Sequence, residues 1–557
     1  MGFAILTWVL EMFRIETVGR VLVGSAFTLV VLLCGVAGAG EGGLPEFRSF
    51  DGSGNNLASP EQGAAGQPFL RLLPSDYADG IGTPAGTDRP SSRLISNVLC
   101  AQDTEAPSAL PVSDLLWQWG QFIDHDIMLT PTAEPKEPFD IPVPAFDPDF
   151  DPDGTGTVVI EMNRSYSGSR GGREQINLNT SYLDASMVYG SDATRADALR
   201  ANDGSGRMAK SARRRLPLNT EGLANEPSSS LSNFFLAGDV RANEQTALLA
   251  LHTLFVLEHN RLAGRDRLLR KTLVALGGDK NTTLDGELRY QLARVLVGAE
   301  IQAITFREFL PLLVGVDAIP DYSGYQADVD ATISNIFGAG AFRFGHTLLP
   351  DTLHRRRRSG NEVRAGDLPL RDAFFNPARL NEGGIGSILR GLANHRSQKL
   401  DLLITDDVRN FLFGVPGSGG FDLAALNIQR GRDHGLPSFN GVRQGLGLAV
   451  VANFDSITSD TETNDLLAGL YSDVDDVDFW IGFLAEDHLP GAMAGELLVT
   501  ALAEQFERTR DGDRFWYERM LSGRPLRFVE GRTLAKVLRA QAGIRGEIGA
   551  SAFLTDD

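Results

Sequence analysis

The chain has 557 residues, with 52 Lys and Arg against 72 Asp and Glu for a formal charge of −20, and 42% of its residues are hydrophobic. That balance belongs to a folded globular protein, and its acidity removes the basic face that nucleic acid or an anionic membrane surface would need. Two cysteines, Cys34 and Cys100, exclude both a disulfide scaffold and a Cys-rich zinc or iron–sulfur protein.

Val21 to Ala39 is an apolar and small-residue run preceded by Arg20 and closed by Ala37-Gly38-Ala39. A basic flank, a short apolar core and an A-x-A site predict a signal peptide over residues 1–39, cleaved before Gly40, and hence a secreted or periplasmic protein. Read as an anchor, the run is short and weakly apolar beside the roughly 20 apolar residues of a spanning helix. Met12 offers a start that would shorten the long leading segment, and Leu33 before Cys34 is not the small residue a lipoprotein site wants. Removal of residues 1–39 leaves only Cys100, expected to be a small buried residue, so no internal disulfide can form.

Residues 40–111, rich in Gly, Pro, Ser and Asn, predict an extended arm lying on a core. Residues 112–557 read as a helical domain continuous with that arm. Ile141 to Gly156 is a loop dense in Pro and Asp. Asp149, Asp151 and Asp153 imitate the start of an EF-hand loop there, but position 12 falls on Ile160, which predicts an Asp-Pro turn cluster instead. Apolar positions at i, i+3, i+4 spacing predict helices over 242–263, 285–315 and 492–508. Strand-like alternation is scarce and no linker or repeat divides the chain. The class is therefore mainly α, with few short strands, in one large domain.

Five segments carry polar groups that an ordinary core does not need. In Trp117 to Asp126, Gln121 and His125 are four apart and share a helical face that Asp124 borders, while Asp126 points elsewhere. In Asn179 to Ser186, the oxygens of Thr180, Asp184 and Ser186 with the Tyr182 carbonyl form an alternating hard-ligand set that suits Ca²⁺, with Asp126 able to complete it. The same residues also favour a turn that opens a helix. In Ala237 to Gln245, Arg241 and Glu244 stand at i, i+3 and read as a helical ion pair. Phe342 to Thr347 sets His346 among aromatics, and Ala425 to Gly435 places Asn427, Arg430 and Arg432 before a glycine turn. His252 and His259 read as packing residues, His395, His434 and His488 receive no catalytic role, and His354 to Arg358 predicts a solvated loop.

Together and in this order the five segments resemble the animal-type haem peroxidases, the superfamily of myeloperoxidase, lactoperoxidase and peroxidasin that also contains the cyclooxygenases. The resemblance runs from FRSFDGSGNNL at Phe47 to RTLAKVLRAQAGI at 532–544. It implies a single helical domain with haem b, in which His125 is the distal histidine, Gln121 its neighbour and Arg241 the distal arginine. It implies that His346 is the proximal iron ligand, oriented by Asn427, with Arg430 beside a propionate. Asp124 and Glu244 would esterify the haem, and Asp126, Thr180, Tyr182, Asp184 and Ser186 would bind calcium. The implied activity reduces hydrogen peroxide and oxidises a halide, thiocyanate or phenolic donor through a ferryl haem, in a monomer or weak oligomer without nucleic-acid or strong membrane partners.

Three positions depart from the family pattern, and a fourth bears on the dioxygenase alternative. Gln245 stands where myeloperoxidase has a methionine linked to haem, and Met128 where relatives carry a carboxylate. Gly54 replaces a half-cystine of the animal members, as in a disulfide-poor bacterial relative. Arg343 occupies the place of the tyrosine that fatty-acid dioxygenases of the cyclooxygenase branch require, which disfavours that activity. A catalytically silent adhesion or scaffold protein is the remaining alternative, and the presence of Gln121, His125, Arg241 and His346 counts against it.

Overall fold

A computed structural model describes residues 44–168 and 172–556. The expected signal peptide lies outside the described residues, and no described helix is long and apolar enough to cross a membrane. The eight helices that shape the site are α1 (Ser92–Leu99), α2 (Leu115–Ile127), α3 (Thr246–Ala263), α4 (Gly286–Ile304), α5 (Ile385–Asn394), α6 (Leu423–Asp433), α7 (Phe479–Ala485) and α8 (Glu496–Asp511). The longest strand, Glu174–Asn177, is central in a three-stranded antiparallel patch with Gln67–Pro68 and Ser167–Gly168, in register Gln67 to Asn177 and Ser167 to Gln175. This is the mainly helical architecture that the apolar spacing predicts.

Helix α3 is apolar on nearly every side, and a helix of that kind must be enclosed by others. Helices α2, α4 and α5 pack around it. The contact with α2 is aromatic: Phe122 stacks on Phe255 with ring centroids 5.2 Å apart, and Trp119 lies 5.7 Å from the same ring. Such offset pairs add to the burial of large apolar surfaces. Committing Trp119, Phe122 and Ile123 to the core turns the other edge of α2, with Gln121 and Asp124, toward a cleft. Asn177 pins the end of this helix, accepting from the Leu129 N–H at 2.9 Å and donating to the Ile127 carbonyl at 2.9 Å.

The far side of the cleft rests on the 3₁₀ turn Ala341–Leu348 and on α6. Asp422 caps α6 by accepting from the Ala425 N–H at 3.0 Å, and it also receives Arg93 Nη1 of α1 at 2.7 Å. Arg93 is fully buried and binds Asp147 through Nε at 2.7 Å. The Asp-dense loop of residues 141–156 is thus a structural clasp. Asp151 accepts from the Thr155 and Gly156 N–H groups, the expected Asp turn in place of an EF-hand. The arm is stitched to the far end of the chain: Arg48 and Asn55 bind Asp513, and Arg514 forks onto Glu46.

Three expectations fail wholly or in part, one of them the helix predicted from residue 492, which begins at Glu496. The helix predicted from residue 242 begins only at Thr246, because the Gln245 side chain caps it by accepting from the Ala247 N–H. Arg241 and Glu244 therefore lie in a turn and form no helical pair. Of the run His354 to Arg358 only Arg357 and Arg358 are exposed: Arg355 is buried and bound to Glu382 and the Gly366 carbonyl, and His354 sits 2.6 Å from Asp367. Arg355 and Arg356 are matched by Glu382 and Asp367, acids distant in sequence. Because a buried ion loses its counter-charges when one partner is removed, Arg93→Leu should destabilise the fold by about 3–5 kcal/mol. A lowered denaturant midpoint at unchanged slope would register that loss.

Candidate active site

One wall of the cleft is built by α2 and the turn before α3. Arg241 is held by Asp239, with Nε 3.0 Å from Oδ1 and Nη2 2.9 Å from Oδ2, and by the Met128 carbonyl at 2.7 Å. Its Nη1 reaches Asp124 Oδ2 at 3.4 Å. Burial alone would raise the Asp239 carboxyl, but the Arg241 guanidinium outweighs it and holds the carboxyl well below the ordinary range. Arg241 is correspondingly fixed in its charged form, since Asp239 more than offsets the cost of burial. The turn approaches closely enough because residue 238 is glycine: a Cβ there would meet the Ser186 carbonyl oxygen at 2.2 Å.

His125 is 2% exposed, with Nδ1 3.3 Å from Asp239 Oδ1 and Nε2 3.8 Å from Glu244 Oε2. Nδ1 has no other partner. Burial, reinforced by Arg241, keeps the imidazole neutral far below its usual range. Gln121 Nε2 lies 3.4 Å from Glu244 Oε1. Burial lifts Asp124 to about 6 and Glu244 to about 7, against the pull of Arg241.

The opposite wall carries His346, whose Nδ1 is 2.8 Å from Asn427 Nδ2. Burial, then Arg343, pushes this histidine down to about 3, which leaves it a neutral Lewis base. Arg343 donates to Asn427 Oδ1 at 3.2 Å, and burial and the neighbouring Arg430 lower it to about 10. It also senses Asp124 and Arg241, so charges of the two walls meet across the cleft. Arg430 spends Nη1 on Asn163, Ser165 and Asp433. No tyrosine occurs in Ala341–Leu348, where the dioxygenase reading needs one.

A third group lies behind α2. Ser186 Oγ donates to the Asp126 carbonyl at 2.6 Å, the Ala185 N–H reaches Asp126 Oδ2 at 3.1 Å, and Thr180 Oγ1 is 3.4 Å from the Tyr182 carbonyl. Asp184 Oδ2 is buried without a hydrogen-bond partner. Burial raises both carboxyls, and Asp184 raises Asp126 further. Among the described residues no cluster of three or more His, Cys, Asp or Glu side chains forms a metal cage; this group has two carboxylates with hydroxyls and a carbonyl. Asn179 links it to the first wall, donating to the His125 carbonyl at 2.8 Å and to Asp239 at 3.2 Å.

The model of the animal haem peroxidase family matches residues 47–553. The chain belongs to the animal haem peroxidase family. It is 35% identical over 534 residues to peroxinectin A of Dictyostelium discoideum, covering 91% of this chain and 96% of the relative. It is also 35% identical over 533 residues to thyroid peroxidase of Sus scrofa, covering 85% of this chain but 56% of that protein. Peroxidase A from Dictyostelium discoideum superposes with a TM-score of 0.81 at 34% identity, over 91% of this chain and 99% of that one. A fatty acid alpha-dioxygenase of Arabidopsis thaliana, at a TM-score of 0.75, 19% identity and coverage of 92% and 86%, shares the fold.

This haem peroxidase carries a donor set that fits its cofactor. A neutral imidazole backed by an amide can ligate iron, two guanidiniums on the same side, of which Arg430 repels Arg343, call for anions such as propionates, and the Asp124 carboxyl faces Arg343. Sequence reading passed over Asp239 and named Arg343 only for the tyrosine it replaces. Asp239 was visible as an acid two residues before an arginine, but its approach to His125 was not. If Asp239 sets the position of Arg241, Asp239→Asn should lower kcat/KM for hydrogen peroxide by about 10²-fold while the haem absorption band persists.

Proposed function

We propose that the peroxidase cleaves hydrogen peroxide between His125 and Arg241 on one wall and a haem held by His346 on the other, then oxidises a small anionic or phenolic donor. The reading is carried by the pairing of a neutral imidazole with a permanently charged guanidinium on one wall, opposite a second neutral imidazole. Bound haem iron would supply the electrons that reduce peroxide and would store the oxidising power for the donor.

The side chains supply the rest. With Nδ1 toward Asp239, the Nε2 lone pair of His125 is free to take a proton from peroxide and return it to the departing oxygen. Arg241, fixed by Asp239 and the Met128 carbonyl, stabilises the negative charge that develops as the O–O bond breaks. Asn427, 2.8 Å from His346 Nδ1, orients the imidazole that would ligate the metal, while its Oδ1 accepts from Arg343. Arg343 and Arg430 would hold the propionates, and Asp124 and Glu244 are the carboxyls available for ester links.

A Ca²⁺ ion among Asp126, Thr180, Tyr182, Asp184 and Ser186 would relieve the repulsion of two buried carboxylates and use the idle Asp184 oxygen. Through Asn179 it would also steady His125. For phenolic donors, a cavity of about 580 Å³ lined by Phe234, Phe374, Phe375, Phe411, Phe413 and Arg371 abuts the turn carrying Glu244, whose carbonyl accepts from the Phe375 N–H at 2.9 Å. The expected setting is outside the cytoplasm, as a monomer or weak oligomer.

In stopped-flow reaction with hydrogen peroxide, His125→Leu should slow the first step by about 10²- to 10⁴-fold with the Soret band intact, and His346→Ala should lose that band. A fast reaction in His125→Leu would refute its role as the acid–base group. Dialysis against a calcium chelator should lower both turnover and melting temperature, and added Ca²⁺ should restore them; unchanged turnover in calcium-free protein would remove the ion from the reading.

A further inference from the structure

The Gln245 side chain is buried at the start of α3 and touches three partners. Its Oε1 accepts from the Ala247 backbone N–H at 2.6 Å. A backbone N–H can only donate, so this contact decides which end of the Gln245 amide is oxygen. Nε2 is thereby turned onto Gln121 Oε1 at 3.0 Å and onto Gln118 Oε1. Gln118 Nε2 adds a second donor to Gln121 Oε1 at 3.2 Å.

With two donors on its oxygen, the Gln121 amide has one orientation left. Its Nε2 faces the cleft, 3.4 Å from Glu244 Oε1 and on the wall that carries Arg241 and His125. The reversed amide would set Gln121 oxygen against Glu244 oxygen, and would leave the Gln245 and Gln118 N–H groups facing another donor in a buried place. We infer that Gln245 is a positioning residue which locks the Gln121 amide with its N–H groups toward the cleft, so that this wall offers donors to an anionic guest. A chain of three amides converts one backbone N–H at a helix start into a fixed donor at the peroxide site. A methionine at position 245 could not transmit that orientation, because a thioether has no N–H. The inference rests on the peroxidase reading and adds a reason for the site to favour anions as donors.

Fluoride is a suitable probe, since it binds ferric haem and accepts hydrogen bonds from the cleft side. The haem-loaded full chain would be titrated with fluoride, followed by its Soret and charge-transfer bands, as wild type, Gln245→Leu, Gln121→Leu and the double variant. Gln245→Leu should raise the fluoride dissociation constant by about five- to tenfold, the loss of a charge-assisted hydrogen bond. In the Gln121→Leu background the same substitution should add less than about twofold, because the donor it positions is already gone. Imidazole, a neutral iron ligand, should bind wild type and Gln245→Leu equally.

Gln245→Glu keeps an acceptor for the Ala247 N–H but turns an oxygen on Gln121, and should weaken fluoride at least as much as Gln245→Leu. An unchanged fluoride constant in either variant, or an equal loss from Gln245→Leu with and without Gln121, overturns the inference. A wild-type chain that takes up no haem overturns the peroxidase reading as well. A loaded, peroxide-reactive chain whose fluoride constants do not move overturns the role of Gln245 alone.

Discussion

Asp239 is an ionised carboxylate with almost no access to water, and a charge in that position persists only if neighbours supply what water would have supplied. Arg241 does so through two guanidinium nitrogens and the Arg241 backbone N–H, and Asn179 adds a fourth contact. Each of these contacts also fixes something else. Holding Arg241 aims its free edge into the cleft; Asn179 ties in the loop of the Asp126 group; the carboxylate edge lies against His125 Nδ1. The wall is rigid because one buried charge has to be surrounded on all sides.

The two walls divide the electrostatics. On one, Asp124 and Glu244 sit close enough for burial and mutual repulsion to keep them partly protonated near neutral pH. On the other, Arg343 and Arg430 repel one another. Neither set is comfortable alone, and each sees the other across the cleft. A flat cofactor with acidic groups at one edge satisfies the cationic wall and leaves the acidic wall beside its other edge, which is the kind of guest that the family to which the chain belongs binds.

Much of this was legible in the residues. The spacing of Gln121 and His125 specified a shared helical face bordered by Asp124. The scarcity of alternating segments indicated a helical class. What could not be read depended on contacts between distant positions. Asp239 and His125 meet only because Gly238 admits the turn against Ser186. The start of α3 was misjudged because a glutamine, not one of the usual short capping residues, satisfies the Ala247 N–H. Arg355 and Arg356 looked solvated because their partners, Glu382 and Asp367, lie on separate turns.

The closure of the chain has a chemical consequence. Residues 46–55 are fastened to residues 513–515 by Arg48, Asn55, Arg514 and Glu46, while Cys100, the one cysteine among the described residues, is free and buried. This belt is closed with charge and amide hydrogen bonds. Reductants have nothing to cut in it. Acid does: Glu46 is held below its ordinary range mainly by its bond to Arg514, so the clasp is complete near neutral pH and loosens as the pH falls through that lowered value. The joint between residues 46–55 and 513–515 is thus indifferent to redox state and sensitive to protons.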